Sequence, residues 1–307
     1  MLPIVGYNAY TELSLPQSGL FFVNSNIDYF LPYVIQSLDY HTWGEKMFIF
    51  ELVKPGSHIK LEDRELAWKF EGLLRHLETA FYDANISLNF FEHERNSRSN
   101  SAGFSQQQWA NDFQKRQILE QQVRKEFGFQ PYENHEEVRL EAEIRLKREK
   151  WAGGSIPLNH QHQFIFLHAK SFLYAMDTID KFLKAISEEP GCPPKIRELH
   201  AQIAKGFPDL RAVRNSAQHL EDRARGLGAG RERKPLVLKP LDNGFINAPQ
   251  GALMLNNLFG TKFGCTMADG HYGEVDISAE SLSKLQLVVQ DVFNSFEWEG
   301  PKQHLPH

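Results

Sequence analysis

Cysteine is nearly absent from this chain of 307 residues: Cys192 and Cys265 are the only two, and they lie far apart. No disulfide framework can be built from such a pair, and reduced thiols in a cytoplasmic protein are the expectation. Long apolar runs are missing as well. No stretch approaches 18 consecutive apolar residues, so no membrane span and no membrane partner are expected. The opening MLPIVGYNAY has neither the basic start nor the apolar run of a signal peptide. An excess of positive charge is lacking too. At a net charge of −5 there is no global pull toward nucleic acid, so a basic site must be local. The P-loop, Gly-x-Ser-x-Gly and His-Glu-x-x-His patterns do not occur, and no internal repeat is evident. Neither a cofactor nor a metal is expected.

What is present is the raw material of a globular protein: 41% hydrophobic, 24% charged and 12% aromatic residues, with 23 phenylalanines for a core. Residues 1–152 read as a mixed region of helices and strands with no evident chemistry. Leu20-Phe21-Phe22-Val23 is strand-like, residues 27–38 are helical in spacing, and KMFIFELV (46–53) reads as a strand ending at Pro55-Gly56. Residues 61–83 carry Leu66, Phe70, Leu73, Leu74, Leu77 and Phe81 at helical spacing. The polar stretch 94–108 has no periodicity and predicts a loop. Helices are expected from Ser105 to Gly128 and over 133–151, the second charge-rich and solvated.

Gly153-Gly154-Ser155-Ile156-Pro157 is the expected boundary to a second domain, 153–307. There Ile165, Ala169, Phe172, Met176, Ile179, Leu183 and Ile186 draw one long apolar stripe over 158–187. Asp177–Lys181 and Asp180–Lys184 look like pairs on the wet side of that helix. A shorter helix over 195–204 follows. After Gly226 the composition shifts to a β-meander at about 235–277, with strands at 236–238, 245–246, 253–258, 262–267 and 272–277. Ser278 can cap a last helix to about Phe296. The predicted fold class is α+β, mainly helical.

The stretch LRAVRNSAQHLEDRAR (210–225) is the focus. Read as one helix, it buries Leu210, Val213, Ala217, Leu220 and Ala224 and turns Arg211, Arg214, Asn215, Gln218, His219 and Asp222 outward. Asn215 and His219 are neighbours on that outer face, with Arg214 beside them. Between Lys205 and Lys234 eight Lys or Arg stand against four acids, a local net of +4 in an acidic chain. Arg211, Arg223, Arg225, Arg231, Arg233 and Lys234 are candidates for a rim that binds a phosphate backbone.

Arg214-Asn215-x-x-x-His219 resembles the Arg-x4-6-His signature of the HEPN superfamily, which covers roughly the second half of the chain. The resemblance implies an antiparallel helical bundle, here with an inserted β-meander, and a metal-independent endoribonuclease acting on RNA. It also implies a homodimer that builds one site from two copies of the motif. His219 would carry the proton, since histidine as a residue type changes charge near neutral pH. Arg214 would clamp the phosphate with its permanent charge and forked donors, and Asn215 would orient phosphate or ribose. A role in defence, with an antitoxin or other regulatory partner, is compatible with such a domain. The rival reading is a non-catalytic HEPN-type module that binds RNA, nucleotide or protein on the same face.

Three other patterns carry less. His160, His162 and His168 lack an acid or cysteine to complete a metal set. Gly226-x-Gly228-x-Gly230 follows a helix instead of a strand, unlike a dinucleotide loop. Arg214 and His219 can also be plain surface residues bonded to carboxylates of their own chain.

Overall fold

A computed structural model of the chain describes residues 47–100, 105–230, 232 and 234–307. The expected strand at 20–23 and helix at 27–38 lie outside the described residues. Two short strands, β1 (Leu52–Lys54) and β2 (His58–Ile59), lead into α1 (Arg64–Asn100). A helical hairpin follows, α2 (Gln106–Phe127) and α3 (His135–Ala152). Next come α4 (Leu158–Glu188), α5 (Lys195–Gly206), α6 (Leu210–Gln218) and α7 (Leu220–Ala224). The strand-rich part holds β3 (Leu241–Asp242), β4 (Asn247–Ala248), β5 (Asn257–Phe259), β6 (Lys262–Thr266) and β7 (Tyr272–Asp276). The chain closes with α8 (Ala279–Asn294), β8 (Trp298–Glu299) and β9 (Gln303–Leu305). This is a mainly helical α+β architecture whose sheets are small and antiparallel. Among the described residues no helix is long and apolar enough to cross a membrane.

The core forms where two long apolar stripes meet. Phe70, Leu74, Leu77, Phe81 and Leu88 of α1 face Phe172, Leu173, Met176, Ile179 and Leu183 of α4, all essentially without solvent contact. Each such side chain contributes about 1.5–3 kcal/mol on burial. Leu199 of α5, Val213 of α6 and Leu285, Val289 and Phe293 of α8 extend the same cluster. Gly153-Gly154, expected to divide two domains, is a turn between α3 and α4, with Gly154 at φ 87°. The core takes residues from both sides of it. The pairings β1–β9 and β2–β8 also tie residues near 52–59 to residues near 298–305.

Two expected boundaries move for identifiable reasons. α1 runs on to Asn100, into the polar stretch expected to be a loop from residue 94. Its last turns have few core partners, hence no periodicity. They are held instead by the Arg95–Glu92 pair and by Arg98, which donates to the carbonyls of Gln161 and His162. At 46–53 only the end of the expected strand is laddered. Upstream, the extended backbone is gripped by helix side chains: Asn89 brackets Phe48, with Oδ1 accepting its N–H at 2.8 Å and Nδ2 donating to its carbonyl at 2.9 Å. Gln290 of α8 brackets Val53 in the same way. At Phe48 the backbone groups find partners without a neighbouring strand.

The meander keeps its last three strands near their expected places and loses the first, since 236–238 forms no ladder. β3 and β4 make a hairpin with a four-residue turn, 243–246, fixed by Asn243 Oδ1, which accepts from Phe245 and Ile246 N–H. β6 and β7 lie on α6. Asp209 Oδ2 accepts the Glu274 N–H at 3.2 Å, and the Cys265 thiol donates to the Val213 carbonyl at 3.5 Å. α6 is thus packed between α4 on one side and the sheet on the other.

Candidate functional site

α6 buries Leu210, Val213, Ser216 and Ala217, which leaves two polar strips diverging round the helix. The first faces α4 and contains Arg211, Arg214 and Gln218. Arg214 Nη2 donates to Asp177 Oδ1 at 2.8 Å, and its Nη1 donates to Gln218 Oε1 at 2.7 Å. The Arg214 and Asp177 side chains are only 11% and 4% exposed. Lys181 closes the other oxygen of Asp177 at 2.7 Å. One turn along, Asp180 Oδ1 meets His200 Nε2 at 3.1 Å and its Oδ2 lies 3.5 Å from Arg211. Asp177 and Asp180 are therefore buried, not on the wet side of α4, and Lys184 pairs with Glu188 instead. Buried carboxylates need partners, and Lys181 of α4, His200 of α5 and Arg211 and Arg214 of α6 supply them.

The second strip contains Asn215 and His219. The helix expected to run unbroken from 210 to 225 breaks at His219, whose φ of −107° and ψ of 46° are not helical. Asn215 O still accepts the His219 N–H, while the His219 carbonyl caps the start of α7 through Asp222 and Arg223 N–H. The break turns α7 so that the Arg223 guanidinium reaches Ser216 Oγ and the Leu227 carbonyl. Arg223, expected on a phosphate-binding rim, is 2% exposed and is a structural residue. A buried guanidinium requires such acceptors.

His219 and Asn215 line a cleft of about 420 Å³, with Ala212, Asp222, Ala229 and Ala268 among its other walls. The His219 ring is 60% exposed, and its Nδ1 lies 3.8 Å from Glu221 Oε1. Arg214 does not line the cleft. The motif's histidine and amide are thus together and its arginine points elsewhere. Of the other basic candidates, Arg211 is exposed, Arg225 pairs with Asp222 at 2.5 Å, and Lys234 is exposed beside Glu232 at 3.1 Å. Arg231 and Arg233 lie outside the described residues.

His219, Glu221 and Asp222 offer ligand atoms that all lie within 4.8 Å of one another, a grouping that can hold a metal ion and that was not expected. Arg225 competes for Asp222 there. His160 and His162 are exposed, and His168 stacks on Phe90 with ring centroids 5.0 Å apart. Burial holds the His168 imidazole below its usual range. Beneath α6, burial pushes the Cys265 thiol up to about 12.

The residues that sequence reasoning placed wrongly are Asp177 and Asp180, the acids that decide where Arg214 goes. The signal was available: Met176 and Ile179 flank Asp177 on the apolar stripe of α4. No family model matches this chain, no curated protein matches it, and no solved structure matches it.

Proposed function

We propose that the cleft beside α6 acts on RNA and that the chain is a metal-independent endoribonuclease of HEPN type, working as a homodimer. In that reading α1, α4, α5 and α6 are the antiparallel bundle, and β3 to β7 are an insertion ahead of the closing helix. The observation that carries it is the open position of His219 beside Asn215, on a cleft wide enough for a nucleotide phosphate. The 2′-hydroxyl oxygen attacks the adjacent phosphorus and its proton passes to the His219 imidazole. The bond to the 5′-oxygen breaks, and His219 of a second copy returns a proton to that oxygen. Asn215 orients the phosphate.

Arg214 takes a different role from the clamp that the resemblance implies. Tied to Asp177, it seats α6 on α4 and so places Asn215 and His219. Neutralising the phosphate falls to Arg225, which pairs with Asp222 on the wall of the cleft. The same Arg214–Asp177 pair favours a second reading, a module that binds RNA or a regulatory protein there without cutting. Cleavage of a mixed RNA pool in EDTA, wild type beside His219→Ala, separates the two. The nuclease reading expects 2′,3′-cyclic ends that vanish in the variant. RNA bound but intact in both would leave the binding module.

A further inference from the structure

We propose that the cavity at the root of the α2–α3 hairpin is a binding site for an uncharged adenine nucleoside, whose base stacks on Trp109. The proposal rests on that cavity alone and is independent of the reading of the cleft beside α6.

Four helix ends meet there. The last turns of α1 contribute Glu94 and Arg98, and the first two turns of α2 contribute Gln108, Trp109 and Asp112. The end of α3 adds Lys150, and the start of α4 adds Leu158 and Gln161. The space between them is about 860 Å³, inside the roughly 300–1,000 Å³ of small-molecule sites. The hairpin's own core, Leu119, Ala142 and Leu146, supplies no side chain to it. A joint that served packing alone would be filled with such residues. This one is lined by an indole, some apolar surface and several hydrogen-bonding groups, the composition of a ligand site.

The ring and the amides say which ligand. Trp109 is 54% exposed, and Phe113, one turn along α2, stacks on it with ring centroids 5.6 Å apart and planes 16° apart. A base laid on the indole continues that stack, as any planar heterocycle would. Gln108 narrows the choice. Its side-chain amide has no hydrogen-bond partner among the described residues. A glutamine amide matches N6 and N7 of adenine together, donor to acceptor and acceptor to donor. Gln161 Nε2 donates to the Ile156 carbonyl at 2.8 Å, which leaves its Oε1 as a further acceptor. Charge argues against a phosphate. Glu94 and Asp112 stand against Arg98 and Lys150, two acids to two bases, so the lining is neutral when His162 is uncharged. Lys150 is closed on Asp112 at 2.6 Å, and Arg98 donates to the carbonyls of Gln161 and His162. An ionised Glu94 would repel a phosphate, whereas its oxygens can accept from ribose hydroxyls.

The test is titration of the full chain with adenosine by isothermal calorimetry, beside AMP, ATP and uridine. Wild type is expected to bind one adenosine per chain and to bind the other three more weakly. Trp109→Ala is expected to weaken adenosine about 5- to 150-fold, the loss of one base stack. Trp109→Phe keeps a ring and is expected to retain most of the binding. Gln108→Leu is expected to weaken adenosine while leaving uridine unchanged. Far-UV circular dichroism checks that the helices persist. If Trp109→Ala does not fold, Gln108→Leu, at an exposed position, carries the test. His219→Ala is expected to bind adenosine as wild type does. No saturable binding of adenosine to wild type would overturn the proposal, as would AMP binding more tightly than adenosine. Unchanged binding in Trp109→Ala would overturn it too. So would lost binding in His219→Ala, since the nucleoside would then sit in the cleft beside α6.

Discussion

The two polar strips of α6 are built from similar residues and behave as opposites. Toward α4, two arginines meet two buried carboxylates in closed pairs that leave little for a ligand. Toward the cleft, an amide and a histidine stand open, with a carboxylate near but not in contact. One side fastens the helix and the other is free to do chemistry. A short signature such as Arg-x4-6-His does not announce this division, because four residues along a helix can separate an anchor from a reactive group. What decides is the neighbour across the interface: Asp177 for Arg214, open space for His219.

The contrast can be broken most severely from the anchored side. Asp177→Ala leaves Arg214 buried without its counter-ion and is expected to cost about 3–5 kcal/mol in chemical denaturation. Replacing both, Asp177→Leu with Arg214→Met, is expected to recover most of that loss, because an apolar pair removes the orphaned charge. If the single variant melts like wild type, the pair is not an anchor. Next in size is the sheet behind α6. Gly270 sits at φ 87°, and a Cβ there would run into the Val237 carbonyl. Gly270→Val is expected to lower stability by about 2–4 kcal/mol through backbone strain and that clash, read by urea unfolding.

Cys265 sharpens the comparison through pH. Its thiol is pushed up to about 12 in the folded state from 9.0. Above pH 9 the unfolded chain therefore releases this proton first, and the folded state loses stability as pH rises toward 12. The expected slope from this group is about 1.4 kcal/mol per pH unit. Burial moves the Tyr272 phenol upward as well, which adds to the decline. Cys265→Ala should flatten the curve between pH 9 and 12, and an unchanged slope would mean that the thiol is not buried. Smaller still is Ser278→Ala. Ser278 caps α8 by accepting the Ser281 N–H at 3.2 Å, and its loss is expected to cost about 1 kcal/mol.

Much of the fold could be read in advance where apolar periodicity was strong. The stripe of α4, the Ser278 cap and the ends of α2 near Ser105 and Gly128 all emerged near their expected places. Periodicity failed where side chains bond to backbone instead of packing. The end of α1 rests on Arg98, and the segment at 48–53 rests on Asn85, Asn89 and Gln290. Pattern reasoning counts apolar positions and is blind to such brackets. The candidate site was legible in part. Asn215 and His219, expected as neighbours on one helix face, do line one cleft. Arg214 was misplaced for a physical reason: a charged residue is read as exposed unless its buried counter-ion, 37 positions earlier, is known. Arg223 was missed likewise, since its acceptors form only once the chain breaks at His219.

The division of α6 is tested most directly by the difference in unfolding free energy between Arg214→Ala and His219→Ala, measured side by side. Arg214→Ala should lose about 3–5 kcal/mol, because it strands Asp177. His219→Ala should stay within about 0.5 kcal/mol of wild type, as an exposed side chain would. Equal losses, or a larger loss at His219, would contradict the assignment of one strip to structure and the other to chemistry.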